Sequence, residues 1–137
     1  SDRPRLASLH LSCFLLGGSC HSFGEPIDYK GKERHTPFKQ GSISVTLDHV
    51  VESGYPCPDY VKIDVDGFEP QVIAGMRDTL PKLKSLLVEI NSNLESHRAL
   101  VDRINQSGFG YEESQVTAAR RTEGPFKGVG NYIFKRI

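Results

Sequence analysis

Tyr60-Val61-Lys62-Ile63-Asp64-Val65-Asp66-Gly67-Phe68-Glu69 is the stretch on which the fold turns. The apolar positions from Tyr60 to Val65 suit a central strand, and Asp66-Gly67 supplies the sharp exit of a strand-to-helix connection. Pro70 fits the first turn of a helix, where its missing N–H costs nothing. Val72, Ile73, Met76 and Leu80 then recur at helical spacing, which predicts a helix with one face on a sheet, stopped by Pro81. Ligands of open α/β sheets bind beyond the carboxyl ends of the strands, so Asp64, Asp66 and Glu69 fall where chemistry is expected. Asp66 and Glu69 have a plainer reading as complements of the positive helix end, worth about 0.3–1 kcal/mol each. Asp64 resists that reading. It lies within the apolar run, where an unpartnered carboxylate is costly, and this points to a ligand or mechanistic role. Strand alternation puts Lys62 on the face of Asp64, either neutralising it or contacting substrate.

Outward from this stretch the chain reads as a single domain, residues 1–137, with an N-terminal strand and loop over 1–41 and an α/β core over 42–137. Leu6 to Leu16 reads as a strand. It is too short to span a membrane and is interrupted by Ser8, His10 and Ser12, though Arg3 and Arg5 ahead of it also fit a weak signal peptide. Gly17 to Gly41, rich in Gly, Pro, His and Lys, is long enough to be a functional loop or lid. In it His21 is the candidate to face the site, since imidazole titrates near neutrality and suits a proton acceptor, whereas His35 reads as solvated.

Ile43 to Val45 reads as a short strand and Leu47 to Glu52 as a short helix capped by Thr46 or Asp48. Leu86 to Ile90 is a second buried strand whose polar end, Glu89 and Asn91, is expected beside Asp64. Ser92 and Glu95 have capping-box spacing, and His97, Leu100, Val101 and Ile104 form the apolar stripe of the helix that follows. His97 on that stripe reads as a core-edge histidine.

Composition narrows the function classes. The chain has 137 residues, 37% hydrophobic and 25% charged, which is enough for one core. Seventeen basic residues balance seventeen acidic ones, leaving no net field to recruit nucleic acid or a membrane surface. Arg120-Arg121 and Lys30 to Arg34 read as solvated basic spots. The three cysteines, Cys13, Cys20 and Cys57, cannot all pair and show no Cys-x-x-Cys spacing, which fits reduced thiols and a cytoplasmic location without a metal site.

Thr46-Leu47-Asp48, Lys62-Ile63-Asp64-Val65-Asp66-Gly67-Phe68-Glu69, Leu87-Val88-Glu89-Ile90 and Asn131-Tyr132-Ile133-Phe134, in this order and spacing, resemble the FkbM family of S-adenosylmethionine-dependent methyltransferases. Asp66 stands where that family usually has Glu. The resemblance implies a Rossmann-like three-layer α/β sandwich, here its C-terminal part, with a mixed sheet closed by Phe109 to Glu112 and Asn131 to Arg136 as an antiparallel pair. It implies S-adenosyl-L-methionine as cofactor and a hydroxyl of a small molecule or sugar as methyl acceptor. The glycine-rich turn and the strand-end acid that hold this cofactor in the family have no counterpart before Lys62, and Gly17-Gly18-Ser19 reads as an ordinary turn. On this reading Asp64 and His21 are the candidate catalytic groups, and Asp66, Glu69, Glu89, Asn91 and Lys62 contact substrate. The cofactor-half strand would pair with Tyr60 to Val65, so its absence leaves an open edge that predicts self-association or pairing with another segment.

Two other classes compete. One is a non-catalytic binding module derived from a truncated methyltransferase. The other is a magnesium-dependent phosphatase, since Asp64-x-Asp66-Gly67 resembles the opening motif of haloacid-dehalogenase-type enzymes. No later acidic pair completes a magnesium site, and Phe68 stands where those enzymes have Thr or Val.

Overall fold

The computed structural model describes residues 1–137 and contains two sheets. The first is antiparallel, built from β1 (Arg5–Leu11), β2 (Ser22–Phe23) and β3 (Phe38–Ser44) in the order β2-β1-β3. β3 begins at Phe38, so the segment read as one loop to Gly41 carries β2 and the first part of β3. After α1 (Leu47–Glu52) comes the second sheet, formed by β4 (Tyr60–Ile63), β5 (Ser85–Asn91), β6 (Phe109–Tyr111) and β7 (Val129–Arg136). Its order is β4-β5-β7-β6, with β4 parallel to β5 and the other pairs antiparallel. The mixed α/β architecture expected from the sequence is therefore present, and β4 lies at an edge with its outer backbone unpaired in the sheet.

Register explains the core. Ile63 pairs with Val88, and Leu86, Val88 and Ile90 face Phe134, Tyr132 and Gly130, so one face is continuously apolar. Onto it pack α2 (Glu69–Ala74) and α3 (Glu95–Gln106), which bury Ile73, Leu100 and Ile104 beside Met76, Leu83 and Phe109. Each such side chain contributes about 1.5–3 kcal/mol when fully buried. The opposite face carries Lys62, Leu87, Glu89, Asn131 and Ile133, none of them fully buried. β6 stops at Tyr111, and Gln115 on α4 (Glu113–Ala119) takes over its work on β7. The Gln115 side-chain amide donates to Asn131 O and accepts from Ile133 N–H.

β1 ends at Leu11, short of the Leu16 expected, and three further elements differ from the sequence expectation. The helix after Pro70 ends at Ala74 instead of running to Leu80. Gly75 is pressed against the Ser1 carbonyl, and the Asp48 carboxylate accepts the N–H groups of Asp78 (3.2 Å) and Thr79 (2.9 Å), pulling the chain off the helix path. Pro81 accordingly sits inside a 3-10 turn, Leu80–Lys82. Ser92 does not cap α3: its hydroxyl donates to Gly128 O, and Leu94 occupies the cap position. Finally, α4 lies in a polar region where no helix was expected. Thr46 does cap α1, accepting from His49 N–H at 3.0 Å.

Candidate functional site at the carboxyl ends of β4 and β5

β4 ends at Ile63, so Asp64 begins the turn and does not lie inside a buried strand. Asp64 is exposed, its carboxylate 3.1 Å from Lys62 Nζ. The expected Lys62 partnership is present, but the burial that argued for Asp64 is not. The strand is one residue too short to enclose it.

The buried carboxylate is Glu69, with no exposed surface. Its Oε1 accepts from Val65 N–H and its Oε2 from Gly67 N–H, each at 3.0 Å, so the first residue of α2 straps the turn that precedes it. Burial pushes the Glu69 carboxyl up, against the pull of the backbone N–H groups. The turn itself is sharp: Asp66 (φ 53) and Gly67 (φ 102) both adopt left-handed backbone. A side chain at 67 would also meet the Tyr29 carbonyl at 3.3 Å, so this position requires glycine twice over.

His97 enters the site as well. It is 2% exposed, Nδ1 accepts from Asn91 N–H at 3.1 Å, and Nε2 stands 3.5 Å from Glu69 Oε2. With Nδ1 occupied as acceptor, the neutral ring carries its hydrogen on Nε2. Burial pushes the His97 pKa down and keeps the ring neutral. The sequence reading of a core-edge histidine placed it on the right stripe and missed its contact with the turn.

Glu89 and Asn91 lie beside the turn as expected. Glu89 is half-buried, its carboxyl pushed up by burial and then by Asp64 and Asp66, against the pull of Arg121, whose guanidinium is 3.4 Å away. Asp66 accepts from Cys20 N–H at 3.2 Å, so the loop after β1 is tied to the same turn. Cys20 also has left-handed backbone (φ 60), and its carbonyl accepts from the Arg34 guanidinium.

Two spaces adjoin these groups. A pocket of about 430 Å3 is bounded by Cys20, His21, Val65, Asp66, Phe68 and Val72 among others. His21 and Asp66 therefore share it, while Asp64 does not line it. His21 Nδ1 accepts from Ser12 N–H at 3.2 Å, so the neutral ring offers an N–H donor to the pocket. On the other side of the turn, Asp66, Gly67, Glu89, Asn91 and His97 line a cavity of about 10 Å3 roofed by Tyr29 and Phe126. Those two rings lie 5.0 Å apart, the Tyr29 hydroxyl donates to Pro125 O, and the Arg121 guanidinium lies 5.4 Å over Phe126. Tyr29, Phe126 and Arg121 were not read from the sequence as site residues. They sit in loops without periodicity, and the basic pair Arg120-Arg121 was the one local signal.

No three His, Cys, Asp or Glu side chains are grouped to hold a metal ion. No helix is long and apolar enough to cross a membrane.

The methyltransferase FkbM domain pattern matches residues 16–112. Hexuronic acid methyltransferase AglP of Haloferax volcanii is 33% identical over 99 residues, 69% of this chain and 41% of that protein. The chain thus spans less than half the length of this curated relative, and no solved structure matches. The match spans the strand–turn–helix at 60–74, the strand at 85–91 and α3, though not Arg121 or Phe126, and the chain belongs to the FkbM methyltransferase domain family.

Proposed function

We propose that this chain forms the acceptor side of an S-adenosylmethionine-dependent O-methyltransferase whose acceptor is a sugar-type hydroxyl, of the hexuronic acid kind that the Haloferax relative's name carries. The observation that carries this is the convergence of Asp64, Asp66, Glu89 and Asn91 at the carboxyl ends of adjacent parallel strands. Carboxylates and amides so placed accept hydrogen bonds from hydroxyls, and the Tyr29 and Phe126 rings give a sugar an apolar face to lie against.

A donor set of this kind also fits a cation. The cofactor, when bound, supplies an electrophilic methyl group on a positively charged sulfur, and the acidic rim complements that charge. Asp66, which borders both the larger pocket and the small cavity, is the residue of this chain that would hold it where the two adjoin, with Val65 and Phe68 on the pocket side. The chain's own groups then position the acceptor. Asp66, Glu89 and Asn91 orient hydroxyls, Lys62 and Arg121 offset the acidic charge, and Glu69 fixes the turn from beneath. His21 offers a donor from the pocket side, and Asp64, paired with Lys62, adds negative charge at the open rim. Such proximity and orientation supply most of the acceleration in bimolecular transfers.

The test is incubation of the protein with S-adenosylmethionine and methyl glucuronoside. Gain of one methyl group by mass spectrometry supports the assignment, and no gain over a series of free sugars refutes it. The open edge of β4 favours a second element of the proposal, pairing of this strand with another copy or segment. Sedimentation giving a monomer at every concentration would refute self-association. Calorimetry with S-adenosylmethionine separates catalysis from a non-catalytic binding module.

A further inference from the structure

We propose that the small cavity under Tyr29 and Phe126 is the seat of the acceptor hydroxyl, with Glu89 its proton acceptor and His97 its hydrogen-bond donor; this rests on the methyltransferase reading above. The cavity of about 10 Å3 has room for roughly one water or hydroxyl oxygen. Beside Gly67, the turn and β5 line it with the polar side chains of Asp66, Glu89 and Asn91, joined by His97 from α3.

His97 is the independent sign that something belongs there. Its ring is almost wholly buried, yet Nε2 makes no well-formed hydrogen bond: Glu69 Oε2 stands 3.5 Å away, and the contact with the Gly67 backbone is a weak one. A buried N–H left unpaired costs about 1–3 kcal/mol, a cost that an oxygen seated in the cavity removes.

The chemistry follows from the two sides of the seat. A hydroxyl oxygen accepting from His97 Nε2–H and donating to Glu89 keeps a lone pair for attack. As the new oxygen–carbon bond forms, the methyl–sulfur bond of the sulfonium donor breaks and its electron pair stays on sulfur. The hydroxyl proton goes to the Glu89 carboxylate, leaving a neutral ether and a neutral thioether. Glu89 suits this better than Asp64, because it lines the enclosed space while Asp64 is solvated and ion-paired. The roof joins two loops through one ring pair and one hydrogen bond, so parting Tyr29 from Phe126 opens the seat for entry.

Two measurements test the seat. In the wild-type protein, titration with methyl glucuronoside is followed by the 1H and 15N resonances of His97 Nε2. A saturable downfield proton shift is expected, and an unmoved resonance at saturating probe overturns the seat. In steady-state methylation of the same probe, Glu89→Gln should lower kcat by about 10²–10⁴-fold with KM within severalfold of wild type. It should also remove the rise of kcat/KM with pH. The charged and titratable groups around Glu89 are Lys62 on β4, Asp64 and Asp66 on the turn, Tyr29 and Arg121 on the roof side and His97 on α3. Replacing Asp64 with Asn should shift the pH limb to lower pH without abolishing it. Unchanged kcat and pH profile in Glu89→Gln overturn the assignment. If the probe shifts His97 but gains no methyl group, the seat stands and the transferase reading falls.

Discussion

Replacing Glu69 with Gln changes one buried oxygen to an NH2 group and leaves the shape of the side chain intact. In the native turn both oxygens are used, on Val65 N–H and Gly67 N–H, each at 3.0 Å. A hydrogen bond to a charged group contributes about 1.5–3 kcal/mol, and a stranded buried N–H costs about 1–3 kcal/mol. The variant loses one such bond and sets an amide donor against a backbone donor. Removing a desolvated charge offsets part of that loss, since burial already holds the Glu69 carboxyl above its ordinary range. The net expectation is a loss of about 2 kcal/mol, which for a domain of this size lowers Tm by roughly 6–8 °C. Urea and thermal unfolding measure it. The pH dependence gives a signed check. Because the folded-state pKa is raised, the native protein gains stability relative to the variant as pH falls from above that pKa toward the unfolded value. The gap between the two should therefore widen on acidification from neutrality. Equal stability of wild type, Glu69→Gln and Glu69→Ala would show that the Asp66 contact with Cys20, and not the Glu69 strap, holds the turn.

Further outcomes follow from the same contacts. Asp48→Asn should cost about 1–3 kcal/mol in urea unfolding by weakening the capture of the Asp78 and Thr79 N–H groups. Burial pushes the Asp48 carboxyl up, but those hydrogen bonds and the Thr79 hydroxyl outweigh it and hold it low, so the difference from wild type should shrink as pH falls below the ordinary aspartate value. His97→Gln should flatten the stability profile on the acid side of pH ~6.5, because a histidine with a lowered folded-state pKa gives stability that is lost as pH falls from the unfolded value through the folded one. Unfolding midpoints at neutral and mildly acid pH compare the two directly, and parallel profiles would contradict the assignment. Gly67→Ala should cost about 1–2 kcal/mol in backbone strain and push on the Tyr29 carbonyl. Limited proteolysis should then cut the 26–36 loop faster, and an unchanged cleavage rate would count against contact between loop and turn.

The parts of the fold that were legible in the sequence are those where burial imposes a period. β5 and β7 carry alternating apolar side chains, α3 carries its stripe at 97, 100 and 104, and α1 starts at a threonine cap. What escaped depends on partners distant in sequence. The end of α2 is set by Asp48 some thirty residues earlier, and α4 earns its place by giving β7 the hydrogen bonds of a missing strand through Gln115. The site divides in the same way. Asp66, Glu89 and Asn91 were legible because strand ends collect ligands. His97 was legible as a buried residue but not as a neighbour of Glu69, and the roof, Tyr29 over Phe126, joins two aperiodic loops.

The acidic rim contains four carboxylates that cannot share one environment, and the structure separates them by what each is given. Asp64 is given water and a lysine, which suits a charge that shapes potential at the opening. Asp66 is given the Cys20 N–H, which couples the N-terminal loop to the turn. Glu69 is given two backbone donors and no exposure, which makes it an architectural group that could reach no substrate. Glu89 remains half-buried, its neighbours Asp64 and Asp66 disfavouring its charge and Arg121 restraining the effect. Where titratable groups of one kind are pushed apart by their surroundings, the one left accessible and perturbed is the one suited to exchange a proton with substrate. Glu69 is perturbed but sealed, and Asp64 is accessible but already matched by a cation. Glu89 meets both conditions, and it lines a space bounded on another side by the poorly paired Nε2 of His97.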